Sequence, residues 1–365
     1  MAVDRAAATR RERVKPAPVD PIALTRDLVS IHSPTGEEGA VGEFLAHTLA
    51  ARGFTVVRQP VTPGRFNVYA YRDRPVVVLS THMDVVPPAL PVWEDDATLH
   101  GRGTCDAKGI AAAQIAAVER LADAGERRVA LLFVVGEEET ADGARRAAAI
   151  EPKGSYLING EPTENLLALG TKGILRLQLS ARGQAAHSAY PEEGQSAIEP
   201  MLDALDRIRR LTLPRDPALG ECTLNIGTIH GGVRGNIIPD SCTAEVVIRT
   251  VSETRDLRAA IERAAGDSVR VTVALDSPPV RLRALPGFET TVVKFGTDLP
   301  WLEPWGERFL LGPGSIRVAH TDREHVSKDA LLEGQRRYER MVRALLGDPA
   351  PGAGSRQARG VKDRQ

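Results

Sequence analysis

Five separated segments of the sequence contain the residue types that a hydrolase with two metal ions uses. In chain order they are residues 80–84 (STHMD), 101–106 (GRGTCD), 136–139 (GEEE), 159–162 (NGEP) and 312–322 (GPGSIRVAHTD). Two histidines and three carboxylates suit two divalent ions of borderline hardness, and one carboxylate is left over to act as a base. The segments together therefore indicate a metal centre that activates water.

The first two segments offer His82 and Asp106. His82 follows an apolar run, and Asp84, two residues later, is placed to accept the other N–H of a metal-bound imidazole. Asp106 precedes Lys108 at the predicted start of a helix. It can cap the helix, bind metal, or do both, because a carboxylate has oxygens for two partners.

The third segment places Glu137, Glu138 and Glu139 directly after the apolar run 133–135. Buried carboxylates repel each other unless cations neutralise them, whereas on an exposed loop they are simply solvated. The adjoining strand favours burial here. Neighbouring side chains point in different directions, so one carboxylate can bind metal while the next faces a water.

The last two segments leave alternatives open. Glu161 follows a third, weaker apolar run, where it is either a ligand or a turn residue. His320 and His325 compete for the remaining ligand position near the end of the chain. His187 lies far in sequence from the other candidates.

Short apolar runs separated by an amphipathic helix predict the scaffold that positions these segments. Runs at 76–79, 129–135 and 156–158 are typical of strands buried on both faces of a parallel sheet, and 108–122 has helical spacing. Strands alternating with helices indicate an α/β sheet, which holds its ligands at the carboxyl ends of the strands.

A different pattern begins after Gly170. The order of strands and helices, with a second helix predicted to open at Ser252, is βαββαβ, as in a ferredoxin-like unit. We therefore expect a catalytic metal-binding domain over 19–171 and 279–346, interrupted by an inserted domain over 172–278. The segments 1–18 and 347–365 lack periodicity, and we expect both to be disordered.

Composition excludes several function classes. The chain has 365 residues, a net charge of -1 with mixed signs, and no apolar run near the ~20 residues that span a bilayer. Neither a nucleic-acid nor a membrane partner is expected. The first residues lack the apolar core of a secretory signal, and three cysteines show no metal-type spacing, so we expect a reducing cytoplasm.

The motifs resemble those of the M20 metallopeptidase family. They are HxDVVP (82–87), GRGTCDxKG (101–109), EE (137–138), GEPT (160–163), AAHSxYP (185–191), NxIPD (236–240) and GPGS…AHTD (312–322). The resemblance implies a metallo-exopeptidase-type α/β catalytic domain with a mostly parallel sheet and an inserted ferredoxin-like lid and dimerisation domain. The C-terminal motif is most similar to the acetylornithine deacetylase branch. Ala107 stands where members of the family often have Met, and Glu-His-Val at 324–326 replaces the common Glu-Tyr-Val/Leu. These two differences leave the branch of the family open.

The resemblance also implies roles for the candidate residues. One ion would be held by His82, Asp106 and Glu161, and the other by Asp106, Glu138 and His320, which occupies the AHxxxE position in place of His325. Glu137 would be the general base. The ions would be zinc, with cobalt or manganese as alternatives.

Substrate contacts and assembly complete these expectations. The guanidinium of Arg249 is a candidate to bind a substrate carboxylate through two hydrogen bonds; the alternative is a surface charge. Asn236 and Gly314 lie in motifs that resemble the family and are further candidates for substrate binding. Members of the family pair through the inserted domain, so we expect a homodimer in which His187 acts in the partner's site.

The expected reaction is hydrolysis of an N-acyl amino acid, with N-acetylornithine deacetylation in arginine biosynthesis as the first hypothesis. The alternative is a succinyl-diaminopimelate desuccinylase or an M20 carboxypeptidase or dipeptidase. A non-catalytic metal-binding protein is a third hypothesis, and the full set of five ligand-type residues together with Glu137 argues against it.

Overall fold

A computed structural model describes residues 17–347. The helices are α1 Pro21–Val29, α2 Gly39–Ala51, α3 Lys108–Asp123, α4 Asp142–Ala147, α5 Ile198–Arg209, α6 Arg255–Ala265 and α7 Lys328–Leu346, with 3-10 turns at Pro191–Glu193 and Leu299–Trp305. The predictions of disorder for 1–18 and 347–365 concern tails that lie, apart from their inner ends, outside the described residues.

The strands follow in chain order: β1 Thr55–Thr62, β2 Arg65–Tyr71, β3 Val77–His82, β4 Trp93–Glu94, β5 Thr98–His100, β6 Val129–Val134, β7 Tyr156–Asn159, β8 Leu167–Ala168, β9 Gly170–Thr171, β10 Gly173–Arg182, β11 Arg215–Asp216, β12 Gly220–Glu221, β13 Thr223–Gly231, β14 Ser241–Thr250, β15 Val269–Ser277, β16 Val280–Arg281, β17 Thr290–Thr291, β18 Glu307–Leu310 and β19 His325–Ser327.

The main sheet has six strands in the order β1-β2-β6-β3-β7-β18. The four strands from β6 to β18 are parallel, while β1 and β2 form an antiparallel hairpin at one edge. Successive side chains of β3 and β6 lie on opposite faces of the sheet and belong to different hydrophobic cores. On one face Leu79 and Leu131 pack with α1, α2, α3 and α7. On the other face Val78 and Leu132 pack with α4 and the Leu299–Trp305 turn. Burial on both faces explains why these strands are continuous apolar runs.

Residues 173–277 form a second unit with its own core. Its sheet is antiparallel, in the order β13-β14-β10-β15, and the elements follow as β10, α5, β13, β14, α6, β15. Alternate residues of β10, among them Leu175 and Leu177, pack under α5 and α6. Within residues 17–347 no helix covers the other face, which carries Ile174, Arg176 and Arg249.

Two predicted helix starts in this unit were wrong. The helix expected to open at Ser252 begins at Arg255, because residues 252–254 are not helical and the hydroxyl of Thr254 donates to Asp276 over 2.7 Å. The first helix of the βαββαβ pattern, which the sequence predicts over about 194–211, begins at Ile198, after the 3-10 turn.

Two chain crossings connect the units, and they pair with each other. β9, which leads into the second unit, is antiparallel to β16, which leads out, with Thr171 opposite Val280 and Gly170 opposite Arg281. Among the helices of residues 17–347, none combines the length and apolar character needed to cross a lipid bilayer.

Candidate metal centre

The candidate centre lies where three adjacent parallel strands of the main sheet end. β3 ends in His82, β6 leads into Glu137 and Glu138, and β7 leads into Glu161. The carboxyl ends of parallel strands meet at one edge of a sheet, so these side chains converge. Two further elements complete the set: Asp106 precedes α3, and His320 lies in the loop between β18 and β19.

Asp106 stands between the two histidines. Its Oδ1 lies 3.0 Å from Nε2 of His82, and its Oδ2 lies 3.3 Å from Nε2 of His320. Nε2 of His320 is also 3.0 Å from the carboxylate of Glu138. Donor atoms of His82, Asp106 and Glu138 all lie within 4.8 Å of one another, as metal ligands do. Each oxygen of Asp106 therefore faces a different imidazole, which is the arrangement of a bridging carboxylate.

The electrostatics of the centre favour cations. Burial raises the pKa of Glu137 well above its usual range, and the charge of Glu161 raises it further. Burial does the same to Glu161, with Asp106 and Asp298 adding to the effect. Burial also acts to raise the pKa of Asp106, but hydrogen bonds with His320 and His82 outweigh it and hold that pKa below its usual range. The carboxylates and imidazoles, largely buried apart from the half-exposed His320, thus fit divalent ions both in charge and in donor type.

Asp84 links His82 to the acidic loop. Nδ1 of His82 lies 3.0 Å from the main-chain carbonyl oxygen of Asp84 and 3.5 Å from its Oδ1. The Asp84 carboxylate accepts the backbone N–H of Glu137 over 3.1 Å and that of Glu138 over 3.2 Å. The hydroxyl of Thr35 donates to it over 2.8 Å. Asp84 is therefore placed to orient the imidazole, through its main chain as well as its side chain.

The structure brings His320, rather than His325, to Asp106. His325 lies on β19, opposite His100 of β5, and its Nδ1 is 2.7 Å from the carbonyl oxygen of Arg323. The intervening loop is held by Glu324, whose buried carboxylate accepts from Arg102 over 2.7 Å and from the Gly103 N–H over 2.8 Å.

Glu324 and Asp298 lie in segments that resemble the family, but the sequence assigned neither residue a role. Glu324 also accepts the Asp106 N–H over 3.3 Å, so it ties the two ligand loops together. Burial raises the pKa of Asp298 to about 7; the charge of His82 acts to lower this pKa and that of Asp84 acts to raise it. A Gly-Thr-Asp run before an apolar segment was the only sequence signal for Asp298.

Arg249 faces the centre from the second unit. Burial lowers its pKa, the charge of Glu137 acts to raise it, and Arg176 lowers it further. On the same sheet face, Ile174 packs against Gly296, two residues before Asp298: a Cβ added there would lie 2.6 Å from Ile174 Cδ1. This end of the small sheet therefore lies against the centre.

Gly314 packs beside the Asp106 loop. Its φ is +88°, and a Cβ at this position would lie 2.6 Å from Cβ of Cys105. Both facts require glycine here.

His187 and Asn236 lie together but away from the centre. The Ser188 N–H donates to the Asn236 carbonyl over 3.1 Å, and His187 forms a β-bridge with Ile237. Both side chains are exposed on loops beyond the end of β10 that is farther from the metal unit. At about 3.3 Å per residue, the strand from Ile174 to Arg182 spans roughly 26 Å. The structure does not bring these two residues to the centre of their own chain.

Comparison with known proteins likewise indicates a metal-dependent peptidase. Residues 78–344 match the model of peptidase family M20/M25/M40. A probable carboxypeptidase of Aspergillus niger is 40% identical over 372 residues, covering 89% of each chain. A tripeptidase from Staphylococcus aureus shares the fold with a TM-score of 0.76 and 21% identity, covering 92% of this chain and 100% of that one. A dinuclear metal binding peptidase of the M20 family from Bacillus subtilis has a TM-score of 0.64 and 16% identity, covering 90% and 97%.

An α/β sheet with imidazoles and carboxylates at its strand ends, joined to these matches, defines a metal-dependent hydrolase. The chain belongs to peptidase family M20/M25/M40.

Proposed function

We propose that the enzyme hydrolyses the amide bond next to a free carboxylate in a short peptide or an N-acyl amino acid, as a carboxypeptidase or dipeptidase does. Arg249 carries this proposal: its guanidinium is half-buried, close enough to Glu137 for their charges to interact, and without an ion pair among residues 17–347. A guanidinium in that position can hold a substrate carboxylate through two parallel hydrogen bonds. The name of the Aspergillus relative supports this alternative over N-acetylornithine deacetylation.

The metal ligands of the proposed centre are two histidines and three carboxylates: His82, Asp106 and Glu161 on one side, and Asp106, Glu138 and His320 on the other. When bound, two divalent ions supply Lewis-acid polarisation of the substrate carbonyl and of the attacking water. The description of the Bacillus protein as dinuclear supports two ions. Nitrogen and oxygen donors suit zinc, with cobalt and manganese as further candidates.

Glu137 acts as the base in this proposal. It lies partly buried among the ligands, yet no histidine nitrogen lies within hydrogen-bonding distance of its carboxylate among the described residues. Its raised pKa suits a group that takes a proton from the attacking water and returns it to the leaving nitrogen. Asp84 orients His82 and fixes the main chain at Glu137, while Gly314, which packs against Cys105, would present its main chain to the substrate.

We further propose that residues 172–278 form an inserted ferredoxin-like domain, which covers the centre of 19–171 and 279–346 and pairs two chains. Exposed apolar side chains on this unit support pairing: Leu202, Ile229, Val233 and Ile237. A symmetric dimer would bring His187 and Asn236 of one chain to the centre of the other. Three free cysteines are consistent with a reducing cytoplasm.

The test is amine release by metal-loaded enzyme from Gly-Leu, its C-terminal amide, N-acetyl-leucine, N-acetylornithine and N-succinyl-diaminopimelate. Cleavage of Gly-Leu but not of its amide, and loss of that activity with Glu137→Ala, is the expected outcome. Equal cleavage of Gly-Leu and its amide would contradict the proposal, whereas a large preference for N-acetylornithine would favour the deacetylase hypothesis over a carboxypeptidase or dipeptidase.

A further inference from the structure

A second arginine, Arg176, lies beside Arg249 on the helix-free face of the small sheet. In the pairing of β10 with β14, Ile174 stands opposite Arg249 and Arg176 stands opposite Val247. Arg176 and Arg249 are therefore diagonal neighbours on one face, within reach of each other for side chains of this length. The opposing effect of Arg176 on the pKa of Arg249 reflects the same proximity.

Neither arginine has a partner in the described part of the chain. No hydrogen bond or ion pair engages either guanidinium, and Nε of Arg176 is buried without an acceptor. Glu245, the other diagonal neighbour of Arg176 on this face, forms no ion pair with it. Two adjacent, half-buried cations without anions repel each other and leave donors unsatisfied, so a ligand that supplies carboxylates would stabilise both.

The two arginines also lie near the candidate metal centre. The charge of Glu137 acts to raise the pKa of Arg249. Ile174, two residues from Arg176 on the same sheet face, packs against Gly296 beside the centre. Arg182 is a useful contrast, since it lies on the same strand and face but is exposed, at the end away from the centre.

We propose that Arg176 and Arg249 form a double anion subsite, and that the preferred substrate carries a second carboxylate in addition to the one held by Arg249. This inference rests on the proposed hydrolysis next to a free carboxylate and narrows its substrate class to dicarboxylates. The second carboxylate belongs either to an acidic acyl group or to an acidic amino acid.

Two pairs of substrates that differ by one carboxylate test the proposal and distinguish these sources. N-acetyl-glutamate is compared with N-acetyl-glutamine, and N-succinyl-leucine with its succinamoyl analogue, in which an amide replaces the terminal carboxylate. The acid of at least one pair should be preferred about ten- to hundred-fold in kcat/KM, the range expected for one charge-assisted hydrogen-bonded contact. The pair that shows the preference identifies the side of the scissile bond that Arg176 contacts.

Arg176→Gln should abolish this preference by raising KM for the acid and leaving the neutral partner unchanged. Arg176→Lys should restore part of it, and the control Arg182→Gln should keep it in full. Equal turnover of acid and amide by the wild type, or an equal loss on both with Arg176→Gln, would overturn the proposal.

A binding measurement separates this inference from the proposed function. If no substrate is hydrolysed, the proposed function fails, and calorimetry with glutarate and with the monoanion glutaramate as probes still tests the subsite. Tighter binding of glutarate that is lost in Arg176→Gln supports the double site, whereas equal binding of the two probes refutes it.

Discussion

The backbone N–H of Glu137 donates to Oδ1 of Asp84 over 3.1 Å, so the residue beside the His82 imidazole also fixes the main chain at the proposed base. Asp84 accepts from Glu138 and Thr35 as well. Asp84→Asn would turn an amide N–H₂ toward at least one of these donors. We expect a loss of about 10–100-fold in metal affinity or kcat with the fold retained. Steady-state kinetics and metal titration measure this, and an unchanged enzyme would show that Asp84 is structural only.

Metal stoichiometry tests the bridging role of Asp106. We expect elemental analysis of loaded protein to give two ions per chain, because five ligand residues exceed what one tetrahedral site uses. Asp106→Ala should reduce binding more than His82→Ala or His320→Ala, since both ions lose a ligand. A stoichiometry that never exceeds one ion would exclude the bridge.

The three consecutive glutamates should separate into three roles. Glu137→Ala should keep both ions and lose most of kcat, by a factor of about 10²–10⁴, since only proton transfer is removed. Glu138→Ala should instead weaken metal binding. Glu139 is exposed and provides the matched control, so Glu139→Ala should change neither quantity. If Glu137→Ala lost metal and Glu138→Ala kept it, the two assignments would be interchanged.

Mixed dimers test whether His187 acts on the partner's site. Glu137→Ala and His187→Ala are each expected to be poorly active alone. After subunit exchange, the His187→Ala chain keeps its own Glu137 and receives an intact His187, so one site per dimer is complete. Each mixed dimer should therefore approach half the activity of a wild-type dimer. Demonstrated exchange without recovery would mean that His187 acts within its own chain or has no catalytic role.

A buried ion network in the main domain should matter for stability rather than for chemistry. The side chain of Arg65 is 10% exposed and bridges Glu38, which is fully buried, and Asp142, each over 2.7 Å. Arg65→Met removes the cation shared by these carboxylates, which keep only backbone N–H donors from Gly36 and Gly143, and should lower the free energy of unfolding by about 3–5 kcal/mol. Arg58, 40% exposed and paired with Glu43, is the control: Arg58→Met should cost about 0–1 kcal/mol. Equal denaturant midpoints for the two variants would refute the estimate.

The sequence alone predicted the ends of β6 and β7 to within one residue, because strands buried on both faces leave continuous apolar runs that end at polar residues. β3 continues past its apolar run at 76–79 through Ser80 and Thr81 to His82, and the sequence did not predict this extension. It did not reveal the β1–β2 hairpin. β1 is a largely exposed edge strand that contains Pro60, and both features weaken the strand signal. The sequence missed Arg176 for another reason. The alternation along β10 indicates that its side chain points away from the core of the second unit, but only the packing of that unit against the main domain shows that it lies near the candidate metal centre. Glu324 likewise acquires its partners through contacts more than two hundred residues away in the chain.

The pairing of β9 with β16 has a mechanical consequence. Because the two crossings are hydrogen-bonded to each other, they form a short ribbon, which resists stretching and twisting more than a single linker does. We therefore expect relative motion of the two units to be mainly bending about an axis across the ribbon, as in a hinge. Such a bending motion would vary the gap between Arg249 and Glu137, so a substrate carboxylate bound by Arg249, as proposed, would move with the second unit along an arc relative to the candidate metal centre.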